Sequence, residues 1–176
     1  MSNAAREPSK TPRGAGALAG LSILAVVWFS LNFFLVFPAG ILWWFEAGFR
    51  PPSGATRVLG AGVIALGATV WMGPLRRFIV EGRGTPAPLV PPDTLVVRGL
   101  YTRVRNPMYS SYVVIALGEA ILYRSYPLAV YALCLWCIAH AYVVGSEEKV
   151  LRQRFGAQYA EYCASVGRWL PRRRGR

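Results

Sequence analysis

The residues Arg98 to Tyr109 (Arg-Gly-Leu-Tyr-Thr-Arg-Val-Arg-Asn-Pro-Met-Tyr) form a basic, polar approach to a long apolar run. Within it, Asn106 followed by Pro107 has the composition of a helix N-cap and first helical residue. A helix start carries unpaired backbone N–H groups and partial positive charge, which suits a carboxylate or phosphate. The same dipeptide opens many ordinary helices at a membrane surface, so its chemistry depends on what stands opposite. At the far end of the same apolar block two carboxylates stand side by side, Glu147 and Glu148. No glycine-rich nucleotide loop follows a strand, no P-loop is present, and the lone His140 completes no Ser/His/Asp set. Cys134, Cys137 and His140 are spaced like a metal tract, but steps of three drift around a helix and no fourth ligand is near, so no metal site is expected. Three cysteines make no disulfide framework.

The elements that must position these residues are apolar. The chain of 176 residues is 54% hydrophobic and 16% charged, with a mean hydropathy of +0.34, more apolar surface than one soluble core of this size hides. Its formal net charge of +12 flanks the apolar runs, which favours anionic lipid headgroups over nucleic acid as the partner. No protein partner can be inferred. The reading is an all-α integral membrane protein of about four transmembrane helices, with a C-terminal helical hairpin and an amphipathic cytoplasmic tail.

Residues 1–14 read as a disordered basic tail, and residues 15–75 as the N-terminal transmembrane helices. The first span, Ala17–Phe37, is expected to end or kink at Pro38, leaving the tryptophans of residues 38–45 in the interface. The second covers about Val58–Leu75, where Gly60, Gly62 and Gly67 favour close helix packing. A proline- and glycine-rich connection over residues 76–105 reads as irregular. Spans over about Met108–Leu122 and Leu128–Gly145 follow, the first of them short for a bilayer. The brief turn at Arg124-Ser-Tyr-Pro makes them an antiparallel hairpin, which brings Asn106–Tyr109 and Tyr142–Glu148 to one membrane face. Glu119, inside the third span, is expected to face the bundle interior or water, with snorkelling or pairing with Arg124 as the other readings. Glu148 is expected to pair with Arg152 at i+4. Beyond it, Val150, Leu151, Phe155, Tyr159 and Tyr162 recur at helical spacing, as on a helix lying at the headgroups, and Arg168-Trp-Leu-Pro reads as an anchor. With the N-terminus inside, the inner segments hold 17 basic residues (3, 6 and 8) against 3 outside, so the termini and the polar face are assigned to the cytoplasm; a bacterial inner membrane is the expected location.

Gly84-Thr-Pro-Ala-Pro, Pro91-Pro-Asp-Thr-Leu-Val-Val-Arg-Gly-Leu-Tyr, Arg105-Asn-Pro-Met-Tyr and the ending Glu147-Glu-x-x-Leu-x-x-x-Phe-Gly-x-x-Tyr-x-x-Tyr, closed by Arg168-Trp-Leu-Pro, resemble the isoprenylcysteine carboxyl methyltransferase and phospholipid methyltransferase families. The resemblance covers about half the chain and implies a methyltransferase-like cofactor region over residues 76–171, with 172–176 a basic tail. It implies an integral membrane enzyme that moves a methyl group from S-adenosyl-L-methionine to a lipid or lipophilic small molecule. Carried over by position, Asp93, Thr94, Leu95, Val96, Tyr101, Asn106, Pro107, Met108, Tyr109 and Glu147 would line the cofactor site. The start at Asn106-Pro107 would receive the methionine carboxylate, Glu147 would accept from amino or ribose groups, and Tyr101 and Tyr109 would offer rings to the adenine or sulfonium. Two departures stand out. Asn106 replaces the family's histidine, and Val143 replaces an arginine that eukaryotic carboxyl methyltransferases place four residues before the glutamate, which weakens a prenylcysteine carboxylate as substrate. No catalytic base is identified. Two other readings remain open: an NAD(P)H-dependent membrane reductase with phosphate-binding arginines such as Arg76, Arg77 and Arg83, and a non-catalytic lipid-binding scaffold.

Overall fold

The computed structural model describes residues 15–46, 54–81, 95 and 97–172. Helix α1 (Ala15–Leu31) runs through a wide π turn at Asn32–Val36 into α2 (Phe37–Glu46). Pro38 therefore does not end the helix, which continues to Glu46. In the π turn the Phe37 N–H reaches back to the Asn32 carbonyl, five residues away. That shift, with the missing Pro38 N–H, leaves the Phe33 carbonyl without a helical donor. Tyr131 supplies one from another helix, its hydroxyl lying 3.0 Å from the Phe33 oxygen.

Helix α3 (Gly54–Glu81) continues past Pro74 and past the expected end at Leu75. A 3₁₀ turn (Gly99–Thr102) leads to α4 (Pro107–Tyr123), and Arg124 in the left-handed region (φ 54°) reverses the chain. Helix α5 (Tyr126–Tyr142) starts with a Ser125 hydroxyl accepting from the Leu128 N–H at 3.2 Å. A second π turn, Val143–Glu147, joins α5 to α6 (Glu148–Ser165), which bends at Gly156 (φ 48°).

Helices α3 and α4 pack antiparallel through glycines on both. A Cβ at Gly60 would stand 2.6 Å from the Leu122 nitrogen, at Gly67 2.6 Å from Ile115 Cγ1, and at Gly118 2.8 Å from the Ile64 nitrogen. Gly60 and Gly67 do what their spacing suggested, whereas Gly62 faces open space. Gly118, which had drawn no expectation, completes the seam from the other helix.

Among the described residues three helical stretches are long and apolar enough to cross a membrane: Leu24–Phe45, Gly54–Arg76 and Tyr126–Ser165. Only 11%, 22% and 17% of their apolar windows is buried within the protein, so a bilayer is what covers the remainder. Residues 38–45 thus belong to a candidate span. The 40 residues of Tyr126–Ser165 exceed what about 30 Å of hydrocarbon needs; its apolar half ends before Glu147, and both glutamates lie beyond it. Helix α4, with 17 residues and Glu119 inside it, is about 25 Å long and sits between α3 and α5. The apolar side of α6 turns onto the protein itself: Tyr159, Tyr162 and Val166 form a buried cluster with Leu95, Leu151 and Phe155 around it.

Candidate functional site

The hairpin of α4 and α5 carries the two polar ends to one place. The Tyr109 hydroxyl, one turn into α4, donates to Glu147 Oε2 at 3.0 Å. Tyr142 stands beside it, its ring centroid 6.3 Å from that of Tyr109. Tyr101, on the 3₁₀ turn, is close enough that Glu147 perturbs its ionisation. Three tyrosines from three elements therefore gather around one carboxylate.

Glu147 ionises with difficulty. Burial pushes its carboxyl above the ordinary range, the Tyr109 hydrogen bond pulls the other way, and the neighbouring Glu148 charge adds to the rise. Among the described residues, no cation is among the groups that shift it. Tyr101 is likewise held above its usual range by burial, then by the charges of Glu147 and Tyr162.

Glu148, one residue on, has the opposite surroundings. It is 4% exposed and sits among three arginines: Arg168 (Nε to Oε1, 2.6 Å; Nη2 to Oε2, 3.0 Å), Arg105 (3.1 Å) and Arg152 (3.4 Å). Burial pushes its carboxyl up, but the Arg168 hydrogen bonds and the charges of Arg105, Arg168 and Arg152 outweigh that and hold it below the ordinary range. The expected i+4 partner Arg152 is present but is the most exposed of the three, at 63%. Arg105 and Arg168 are distant in sequence from Glu148, so no local spacing pointed to them. The π turn ahead of the pair accompanies this divergence of adjacent carboxylates into separate networks.

Asn106 occupies the N-cap position but its side chain makes no cap hydrogen bond. It is buried, and its Nδ2 donates to the Arg168 carbonyl at 3.3 Å. Pro107 is buried at the first helical position, and the Met108 carbonyl accepts from the Ser111 hydroxyl. The first-turn amides of α4 are thus left uncapped by Asn106.

Leu95 packs with Tyr159, Tyr162 and Val166, and the Tyr101 carbonyl accepts from the Tyr162 hydroxyl at 2.7 Å, so α6 backs this loop. Asp93, Thr94 and Val96 lie outside the described residues. The C-terminal segment, expected to anchor in headgroups, also folds back onto the protein: Arg168 pairs with Glu148, and the Trp169 indole donates to His140 Nδ1 at 3.1 Å. Glu119 is buried and does not snorkel, and its Oε2 has no hydrogen-bond partner among the described residues. No group of metal-binding side chains occurs among the described residues.

The chain is similar in sequence to known proteins. Protein-S-isoprenylcysteine O-methyltransferase A of Arabidopsis thaliana is 33% identical over 78 residues, 44% of this chain and 39% of that protein. A probable protein-S-isoprenylcysteine O-methyltransferase of Oryza sativa subsp. japonica is 33% identical over 78 residues, 44% of this chain and 40% of its own length. The chain therefore spans about two-fifths of the length of these relatives. The model of the family described as phospholipid methyltransferase matches residues 55–158, from the start of α3 into α6, and so takes in the hairpin, Tyr109 and Glu147. With more than half of its length matched, the chain belongs to the phospholipid methyltransferase family.

Proposed function

We propose that the chain is an integral membrane methyltransferase that uses S-adenosyl-L-methionine to methylate a lipid or lipophilic small molecule, with its cofactor site on the cytoplasmic side. The observation that carries this reading is the contrast between the two glutamates. Glu148 is paired with arginines, whereas Glu147 takes the Tyr109 hydroxyl with Tyr101 and Tyr142 near it, and among the described residues no cation is among the groups that shift it. A half-buried carboxylate with aromatic faces beside it suits a positively charged ligand.

The residues present fit such a cofactor. When bound, it supplies an electrophilic methyl group on a positively charged sulfur. Glu147 balances that charge or accepts from an amino or ribose group, held in place by the Tyr109 hydroxyl. Tyr101, Tyr109 and Tyr142 offer ring faces, and the uncapped start of α4, through the Met108 and Tyr109 amides, receives a carboxylate. Asp93, Thr94, Leu95 and Val96 complete the proposed lining. The apolar hairpin limits water and gives a lipophilic acceptor a route from the bilayer. Val143, fully buried, offers no charge to an acceptor carboxylate, which weakens an isoprenylcysteine-like carboxylate as acceptor but keeps it among the lipophilic candidates. The 33% identical relatives act, by name, on protein S-isoprenylcysteine, and the activity here is shared with them only as a class of chemistry.

Calorimetric titration of the detergent-purified protein with S-adenosylhomocysteine tests this. Wild type binds, Glu147→Ala does not, and NADPH gives no heat. Binding of NADPH but not S-adenosylhomocysteine would replace the reading with a reductase; binding of neither by folded protein would leave a scaffold.

A further inference from the structure

The matched family region ends at residue 158, yet the segment Val166–Arg172 reaches back to the approach to α4, at the edge of the candidate site. Its contacts fall on the few residues that precede Tyr109. The Arg105 N–H donates to the Gly167 carbonyl at 2.9 Å, within a parallel bridge of Val104 with Gly167. Asn106 gives its side-chain N–H to the Arg168 carbonyl, in place of capping α4. Trp169 fastens the same segment to α5 through His140.

One side chain joins all three walls of this junction. Glu148, at the start of α6, takes Arg105 from the approach to α4 and Arg168 from the segment, each on Oε1. Glu148 itself is adjacent to Glu147, whose partner Tyr109 is four residues beyond Arg105. The path from Glu148 to the Tyr109–Glu147 pair is therefore short on both sides.

The segment is also shaped for this seat. A Cβ added at Gly167 would lie 2.0 Å from the Leu170 carbonyl oxygen, so the local turn admits glycine alone unless the backbone moves.

We infer that Val166–Arg172 is a strap that forms part of the cofactor site, and that Glu148 is the positioning residue that docks it, setting the placement of Asn106–Tyr109 and, through them, of the Tyr109–Glu147 pair. The inference rests on the methyltransferase reading above and deepens it. Glu148 touches no ligand in this role. Its effect on binding passes through the geometry of the pair.

Two readouts on the full-length protein in detergent separate the docking from its consequence: hydrogen exchange at the Arg105 amide, and affinity for S-adenosylhomocysteine. Glu148→Gln leaves two arginines facing each other, so Gly167→Ala serves as a second variant that changes no charge. In both, exchange at Arg105 rises and affinity falls about 10-fold or more, in the range expected when a supporting contact shifts a site by a fraction of an ångström. The exposed Lys149→Gln changes neither. If Glu148→Gln does not fold, Gly167→Ala decides alone. Unchanged exchange would overturn the docking role. Raised exchange with wild-type affinity would overturn the positioning role and leave the methyltransferase reading intact. Absence of binding in folded wild type would overturn both together.

Discussion

Replacing Glu148 by glutamine should destabilise the protein at neutral pH, while the same change at Glu147 should stabilise it. Glu148 has a 5% exposed side chain against Arg105 at 10% and Arg168 at 29%, so the core of the network is nearly dry. Breaking a buried pair by removing one partner costs about 3–5 kcal/mol, because the other charge stays behind uncompensated. Arg152, 63% exposed, adds at most about 1 kcal/mol. The partial exposure of Arg168 lets water reclaim some of its charge, which puts the expected loss near the lower end, about 3 kcal/mol. The pH dependence has a fixed sign. The Glu148 carboxyl is held below its ordinary value of 4.5, so its contribution is present above that value and is lost as pH falls through the folded-state pKa. The difference between wild type and Glu148→Gln should therefore shrink in acid. Glu147 is held above 4.5, so it favours folding while protonated, and that contribution is lost as pH rises through its folded-state pKa. Glu147→Gln should then be the more stable protein at neutral pH and lose that advantage in acid. Unfolding by SDS in mixed micelles, followed by tryptophan fluorescence across pH, measures both. Shifts of the same sign for the two variants would refute the assignment of opposite environments.

Three further outcomes follow from the packing. Gly60→Ala should cost about 1–3 kcal/mol, because its Cβ meets the Leu122 backbone at 2.6 Å, whereas Gly62→Ala, facing open space, should be neutral or slightly stabilising in the same unfolding assay. Tyr131→Phe should cost about 1–3 kcal/mol by leaving the Phe33 carbonyl unpaired, and restoring a donor there should recover it. Trp169→Phe removes the indole donor to His140 and should cost about 1 kcal/mol while quickening proteolysis of the C-terminal segment.

What could be read in the chain followed how local the cause was. The short turn at Arg124 made the hairpin legible, and with it the meeting of Tyr109 and Glu147 across 38 residues. Three apolar stretches announced themselves by length and composition, and Gly60 and Gly67 by their spacing. What stayed hidden has a different origin. The i+4 pairing of Glu148 with Arg152 is present, but helical spacing reveals only neighbours, while Arg105 and Arg168 arrive by tertiary folding. Asn106 has the chemistry of a cap but spends its side chain on the Arg168 carbonyl, a choice that depends on where the C-terminus goes. Pro38 looked like a helix end because the rule against proline assumes α register. A π turn, with a tyrosine hydroxyl from another helix, satisfies the carbonyl left unpaired. Arg168-Trp-Leu-Pro had the composition of a membrane anchor, and only the partners at Glu148 and His140 show it as an internal strap.

The proposed function puts a positively charged methyl donor between the start of α4 and the end of α5. Ultraviolet cross-linking of radiolabelled S-adenosylmethionine to the detergent-purified protein, followed by peptide mapping, locates it. Label is expected on the peptides that contain Tyr101–Tyr109 and Tyr142–Glu147, displaced by unlabelled S-adenosylhomocysteine and absent in Glu147→Ala. Label confined to α1 or α3, or label that survives both competitor and substitution, would contradict it.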